Sequence, residues 1–389
     1  PSAFHSRNQA YRSDYTLFTS DAQGLGRASG VYTRPRTTAS SSGEVKIARS
    51  LHEGHRLFGM ARARRTKTLI RPGFIVDLGP SDQSQVTPAT PAPLVTDVDP
   101  TLDLVEQLTA GIGYEAKLSD RLQIRAGVQR TRYRKSVAVP GLPVNLNDES
   151  SWLYDAAAVF QISPRWTIFA TATRGLEESG SAPANAANRY DVLNAVVARQ
   201  YEVGFRGRIG TISVIGSVFE VAKPTAGLEP NGIYSLIGEE SHRGVELSLT
   251  GRLLPGFTAV AGIVALEPKQ SGPLVASGAQ PERAMGVSSV IGVASFNYEL
   301  PFLPGLSLDG QLSYNGSRLA HPTNGLETPG YELVDLGGRY RFRLAGNDAV
   351  LRVFAGNILA RNEWQALRSG GLMRTAPPSL RATLTVMLD

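Results

Sequence analysis

The feature that most constrains this chain is a two-residue alternation that returns in stretches of about ten residues. From Leu380 to Leu388 every second residue (Leu380, Ala382, Leu384, Val386, Leu388) is apolar, while Arg381, Thr383 and Thr385 between them are polar. Period two is the pattern of a strand with one apolar and one polar side. It recurs at Val334, Leu336, Gly338, Tyr340 and Phe342, at Leu306, Leu308, Leu312 and Tyr314, and at Val245, Leu247 and Leu249. Earlier examples are Tyr201, Val203 and Phe205, and Leu122, Ile124, Ala126 and Val128. A soluble sandwich alternates in the same way, so the period alone leaves open which side meets water.

The connections separate the two cases. Short turn signals stand at Leu118-Ser119-Asp120, Ile162-Ser163-Pro164, Ile209-Gly210, Leu254-Pro255-Gly256, Leu303-Pro304-Gly305 and Gly346-Asn347-Asp348. Between them lie long polar connections at 71–105, 137–149, 176–196, 223–237, 268–284, 318–330 and 365–377. Short and long alternate from about residue 51 onward. Short turns on one rim and long loops on the other are the plan of an outer-membrane barrel. The sequence therefore predicts an all-β fold, a transmembrane antiparallel β-barrel of about sixteen strands, the first near Ala10–Thr19 and the last running toward the periplasm at Leu380–Leu388. Trp152, Tyr154, Trp166, Tyr331 and Trp364 suit aromatic girdles. The segment 71–105, with Pro72, Pro80, Pro88, Pro91, Pro93 and Pro100, reads as flexible, partly extended chain. No domain boundary falls within 1–389.

Composition closes several other routes. Hydrophobic residues make up 42%, and no stretch approaches eighteen consecutive apolar residues, which excludes transmembrane helices but not a barrel. The chain has no cysteine, so disulfides and thiolate metal sites are excluded. The net charge of +6 is scattered through strands and not gathered in an arm or helix. That argues against nucleic acid and leaves an anionic membrane surface or an anionic small ligand. Pro1-Ser2-Ala3-Phe4-His5 lacks the features of a signal peptide, as expected of a processed or partial chain.

Little in the sequence suggests catalysis. His52 and His55 with Glu53 sit at a predicted turn, where two histidines without a third ligand read as solvated side chains, so no metal is expected. Gly24-Leu25-Gly26-Arg27-Ala28-Ser29-Gly30 imitates a phosphate-binding run but lacks the third glycine spacing, and is expected to be a loop. There is no Gly-x-Ser-x-Gly elbow, no Walker lysine, and no histidine recognisably paired with a nucleophile, which predicts a protein that is not an enzyme and carries no cofactor. Glu202 and Glu246 fall on the polar face and are expected to pair with arginines such as Arg206 and Arg243. His242 is expected at the base of a loop.

Four segments in order resemble TonB-dependent outer-membrane receptors. They are Arg199-Gln200-Tyr201-Glu202-Val203-Gly204-Phe205-Arg206; Glu240-Ser241-His242-Arg243-Gly244-Val245-Glu246-Leu247 with Gly251-Arg252-Leu253-Leu254-Pro255-Gly256; Asn357-Ile358-Leu359 with Trp364; and Arg174-Gly175-Leu176-Glu177-Glu178 through Ala182-Pro183-Ala184-Asn185 to Asn188-Arg189. The last is similar to siderophore-receptor members. Together they cover about residues 150–389, while residues 1–110 share only the rhythm. The resemblance implies energy-coupled uptake of a ferric-siderophore-type ligand in the Gram-negative cell outer membrane, with outer-membrane lipid around the barrel. It also implies a 22-strand barrel, a plug domain and coupling to the TonB system through that plug. Neither a plug nor a TonB box stands in these residues, and the chain ends in Asp389 where an aromatic residue is usual, so the expectation is the C-terminal part of such a receptor. Arg174, Glu177, Arg189 and Tyr190, in loop 176–196 and its base, are the ligand-binding candidates that the resemblance and loop placement suggest. A sixteen-strand barrel closed on itself, acting as a passive porin-like channel, is the alternative.

Overall fold

The computed structural model describes residues 1–10, 14–20, 25–82, 98–322 and 325–387. One antiparallel sheet of 16 strands dominates it. Its strands are, in order, Ser2–Ala10, Arg36–His52, His55–Ile70, Thr101–Lys117, Leu122–Ala138, Asn145–Ser163, Trp166–Glu177 and Val196–Ile209, followed by Ile212–Leu228, Tyr234–Leu254, Phe257–Ser271, Val290–Glu299, Leu306–Asn315, Tyr331–Leu344, Asn347–Gly356 and Ser379–Val386. Each pairs with the next, so the 14 strands between the first and the last have their backbone polar groups satisfied by neighbours on both sides, as a spanning structure without helices requires. No helix among the described residues is long and apolar enough to cross a membrane. The one helix is a single turn, Pro273–Ala276.

Register carries the alternation from strand to strand, because residues directly opposite share a face. Leu247 faces Gly216 on one side and Ile263 on the other. Val128 faces Ile112 and Tyr154. These apolar residues are exposed, Ile112 at 63% and Val203 at 57%, with no second layer against them. Such an uncovered face is stable in hydrocarbon, where it meets lipid instead of water. The opposite face carries Arg125, Glu202, Glu246, Arg339 and Arg381 and lines the interior.

The short turns are as tight as the sequence predicts. At Gly256, where φ is +77°, a Cβ would stand 2.5 Å from the carbonyl oxygen of Glu299, so both the left-handed backbone and the close approach call for glycine.

Several boundaries depart from the sequence expectation. The first strand of the main sheet is Ser2–Ala10, not Ala10–Thr19. Asp14–Ser20 pairs instead with Leu25–Tyr32, which also pairs with Phe74–Asp82 in a separate three-stranded sheet. The glycine-rich run beginning at Leu25 is therefore a strand and not a loop; its Gly24 lies outside the described residues. Part of the segment 71–105 is likewise a strand, with Pro80 opposite Arg27, while Pro88, Pro91 and Pro93 lie outside the described residues. Two of the expected long loops, 137–149 and 223–237, are mostly strand. Val137 pairs with Asn145, and the next hairpin stays paired to Leu228 and Tyr234. These stretches read as loop because Pro140, Gly141 and Pro143 in the first, and Pro224, Gly227, Pro230 and Gly232 in the second, interrupt the alternation.

Candidate functional site

The long connections gather at one rim and are tied to the strands beneath them and to one another. Loop 178–195 is fastened most firmly. On the strand Leu122–Ala138, Thr131, Tyr133, Lys135 and Val137 point inward and are buried, while Arg132 and Arg134 between them are exposed. Lys135 Nζ donates to the carbonyl oxygen of Ser179 at 2.7 Å and lies 3.2 Å from Asp103 Oδ2 and 3.3 Å from Glu178 Oε1. A lysine with 4% of its side chain exposed needs such partners, because an isolated buried ammonium is costly. Burial raises the Asp103 carboxyl above its ordinary value, against the pull of Lys135. Burial also pushes the Tyr133 hydroxyl up to about 12. That hydroxyl accepts the Ser179 backbone N–H at 3.3 Å. Val105, Tyr133 and Ala195 form a small core with Leu176 packed against it.

The same loop reaches sideways. Asn147 Nδ2 donates to the Leu193 carbonyl at 3.0 Å, and the Ala195 amide donates to Glu149. Asn188 is bonded through its side chain to both the carbonyl and the amide of Tyr234, at 3.0 and 2.8 Å. On the far side, Arg283 contacts Glu327 and donates to the Ser317 carbonyl, joining loops 272–289 and 316–330. Tyr331 donates to Gln365 at 3.2 Å. Glu240, 3% exposed, holds Arg368 from the last long connection and His242 at 2.8 Å from its own strand. Burial pushes the Glu240 carboxyl up, but Arg368 and His242 outweigh it and hold the group below its ordinary value. Asn357, at φ +49°, donates to the carbonyls of Arg361 and Ala376 and closes the base of that connection.

The ligand-binding candidates separate in space. Glu177 ends its strand and pairs with Lys223 at 3.1 Å. Arg189 and Tyr190 lie in loop 178–195, Arg189 exposed and Tyr190 held at φ +67° with its amide on the Ala182 carbonyl at 2.8 Å. Arg174 faces the other way. It stands opposite Tyr154 and Arg199, two residues along from Ala172 and Tyr201, on the apolar face and not toward the interior. The parity of Ile168, Ala170, Ala172 and Arg174 in the sequence was sufficient to show this.

Arg243 is corrected in the same way: it lies on the outward face and pairs with Glu220 at 3.3 Å, so it is no partner for Glu246. Among the described residues neither Glu202 nor Glu246 forms an ion pair. His242 does stand at a loop base. His52 and His55 stack with ring centroids 3.8 Å apart, and no group of three or more metal-type ligands occurs among the described residues. Lys135, Asp103, Glu240 and Arg368 were missed in the sequence. Lys135 has a signal: it shares the inward parity of Thr131 and Tyr133 at the loop end of a strand.

A sixteen-stranded sheet with an exposed apolar face, short turns on one rim and tied loops on the other defines an outer-membrane β-barrel protein. Residues 2–358 match the family model described as TonB dependent receptor-like, beta-barrel, and the chain belongs to that family. The ferrichrome receptor FcuA of Yersinia enterocolitica is 23% identical over 283 residues, covering 70% of this chain and 37% of that protein. Among solved structures, the ferric preacinetobactin receptor BauA from Acinetobacter baumannii superposes with a TM-score of 0.77 at 18% identity, over 99% of this chain and 60% of that one. The ferric-catecholate import receptor Fiu from E. coli K12 gives a TM-score of 0.76 at 13% identity, over 95% and 59%. The chain thus spans just over a third of that curated relative and about three fifths of these solved receptors.

Proposed function

We propose that these strands form the wall and outer mouth of a receptor for energy-coupled uptake of a ferric siderophore or similar scarce chelate, driven through the TonB system. The observation that carries this reading is the tied crown of loops. A pore for bulk diffusion gains nothing from a buried Lys135 and a buried Glu240 that hold loops from different hairpins in fixed positions, whereas a binding mouth gains preorganisation. The names of the relatives point to ferric chelates, and membership of the family points to TonB. The basic balance of the chain suits an anionic chelate, since a positive mouth concentrates anions and speeds capture.

Within this reading Glu177, Arg189 and Tyr190 remain the contact candidates, at or beside the mouth. Arg174 contributes nothing directly, because it faces outward. The test is uptake of radioactive iron presented as hydroxamate, catecholate and mixed chelates to cells that carry the full-length receptor. Accumulation of one chelate class that disappears on deletion of tonB supports the proposal. Accumulation that is indifferent to tonB, or none with any chelate, contradicts it.

A further inference from the structure

The inward face of the wall is not uniformly charged. On the strands Arg36–His52, His55–Ile70, Thr101–Lys117 and Leu122–Ala138, register sets the inward residues in rows that descend from the loops to the short turns. Arg64 stands between Ser42 and Gln107, and Arg62 one row lower between Glu44 and Thr109. Lys46 follows opposite Met60, then Phe58, and then Arg56 opposite Glu115, which is itself opposite Arg125. Lys46 Nζ and the Arg125 guanidinium both reach over the Phe58 ring, 4.3 and 5.3 Å from its centroid, so that row has cations too. From Arg64 down to Arg56 the ladder runs about 27 Å along the strand without a gap.

These cations are in surplus, and all five side chains are exposed. Arg125 lies 3.3 Å from Asp155 and 3.8 Å from Glu115. Among the described residues Lys46, Arg56, Arg62 and Arg64 form no ion pair, and Arg64 donates to the Thr66 hydroxyl at 3.2 Å. Beside the ladder, Gly111, Gly113 and Gly127 are inward positions without a side chain. Another sector of the same face differs. Its inward positions from Ser213 to Phe219, Gly244 to Thr250 and Val260 to Leu266 include Ile215, Phe219, Val264 and Leu266, with Glu246 and no lysine or arginine. An anion there meets apolar wall and a carboxylate, whereas beside the ladder it meets a cation in every row. A series of such sites conducts an ion when each is attractive enough to enter and weak enough to leave. Exposure keeps every rung weak.

We propose that Arg64, Arg62, Lys46, Arg125 and Arg56 form the route by which an anionic chelate passes from the mouth to the periplasmic rim, so that translocation follows this sector of the wall. The inference rests on the reading of the protein as a receptor for an anionic ferric chelate, and adds where that solute travels. Capture belongs to the loops and passage to the ladder.

The experiment compares Lys46→Gln/Arg62→Gln with the wild type in the full-length receptor by two readouts. One is equilibrium binding of the ferric chelate to purified protein. The other is the initial rate of TonB-dependent uptake of its radioactive iron by cells at saturating chelate. The double variant is expected to bind within twofold of wild type and to take up iron at least fivefold more slowly. Lys46→Arg/Arg62→Lys, which keeps both charges, and Glu246→Gln, in the other sector, should stay within twofold of the wild-type rate. Unchanged uptake by the double variant, an equal loss in either control, or a loss matched by weaker binding would each overturn the ladder and leave the receptor reading standing. A wild type that binds no ferric chelate would overturn the receptor reading, and the ladder with it. Should the double variant lose heat-modifiable migration, the sign of a folded barrel, Arg64→Gln replaces it with the same expected split between binding and rate.

Discussion

The ammonium of Lys135 donates to the carbonyl oxygen of Ser179 at 2.7 Å, across 44 positions of sequence. This bond, with Asp103 and Glu178 beside it, fixes where loop 178–195 leaves the strands. Lys135→Met should strip Asp103 of its partner and loosen the loop by roughly 3 kcal/mol, the range for breaking one side of a buried pair. Limited proteolysis of the full-length receptor should then cut within 178–195 while the barrel keeps its heat-modifiable migration. A loop as resistant as wild type would show that Lys135 does not hold it.

Acid should act on the other side of the mouth. The Glu240 carboxyl binds its proton less readily in the folded loop than in the released one, because Arg368 and His242 hold it below its ordinary 4.5. Its stabilisation is therefore complete above that value and is lost as pH falls below it. Asp103 has the opposite sign. Raised from 3.8 by burial, it favours the folded loop more as pH falls through its raised value. Hydrogen exchange at pH 3.5 and pH 7, each expressed as protection relative to the intrinsic exchange rate at that pH, should show protection falling at pH 3.5 around Arg368 and no matching fall around Ser179. An equal loss of protection in both loops would contradict the opposed signs.

On the strand Tyr234–Leu254, Leu247 lies seven residues from the short-turn end, roughly 23 Å along the chain and near mid-membrane once the strand tilts by about 40°. Leu247→Arg should cost about 2–4 kcal/mol in refolding into lipid vesicles, while the neighbouring interior change Glu246→Gln should cost far less. Equal costs would mean that the two faces are misassigned.

The Phe58 ring lies over Gly113 on the interior face, with Lys46 Nζ 4.3 Å and Arg125 5.3 Å from its centroid. A Cβ at Gly113 would overlap that ring. Gly113→Val should expel the ring and cost about 1–3 kcal/mol, as overpacking does, measured by urea titration in detergent. Phe58→Ala combined with Gly113→Val should recover part of the loss.

What the sequence made legible was whatever depends on parity and turn chemistry. The apolar rows through Leu247 and Leu384 follow from period two, and the short rim follows from residues such as Gly256. The strand Leu25–Tyr32 was hidden, because its glycines imitate a loop and its partner Phe74–Asp82 sits in a proline-rich stretch. Strand that continues above the membrane, as at Leu228 and Tyr234, reads as loop in the sequence because Pro224, Gly227, Pro230 and Gly232 interrupt the alternation there. The mouth is least legible. The tie of Glu240 to Arg368 joins positions 128 residues apart, and no local pattern announces it.

The central claim, that this mouth belongs to a ferric-chelate receptor, is tested most directly by equilibrium binding. Purified full-length receptor would be titrated by tryptophan fluorescence with a panel of ferric hydroxamates and catecholates, alongside the same chelators free of iron. The predicted result is one ferric class bound with Kd below about 1 μM, near −8 kcal/mol, and weakened at least tenfold by Arg189→Ala or Tyr190→Ala. Binding no tighter than millimolar across the panel, with small solutes crossing reconstituted membranes without TonB, would contradict it.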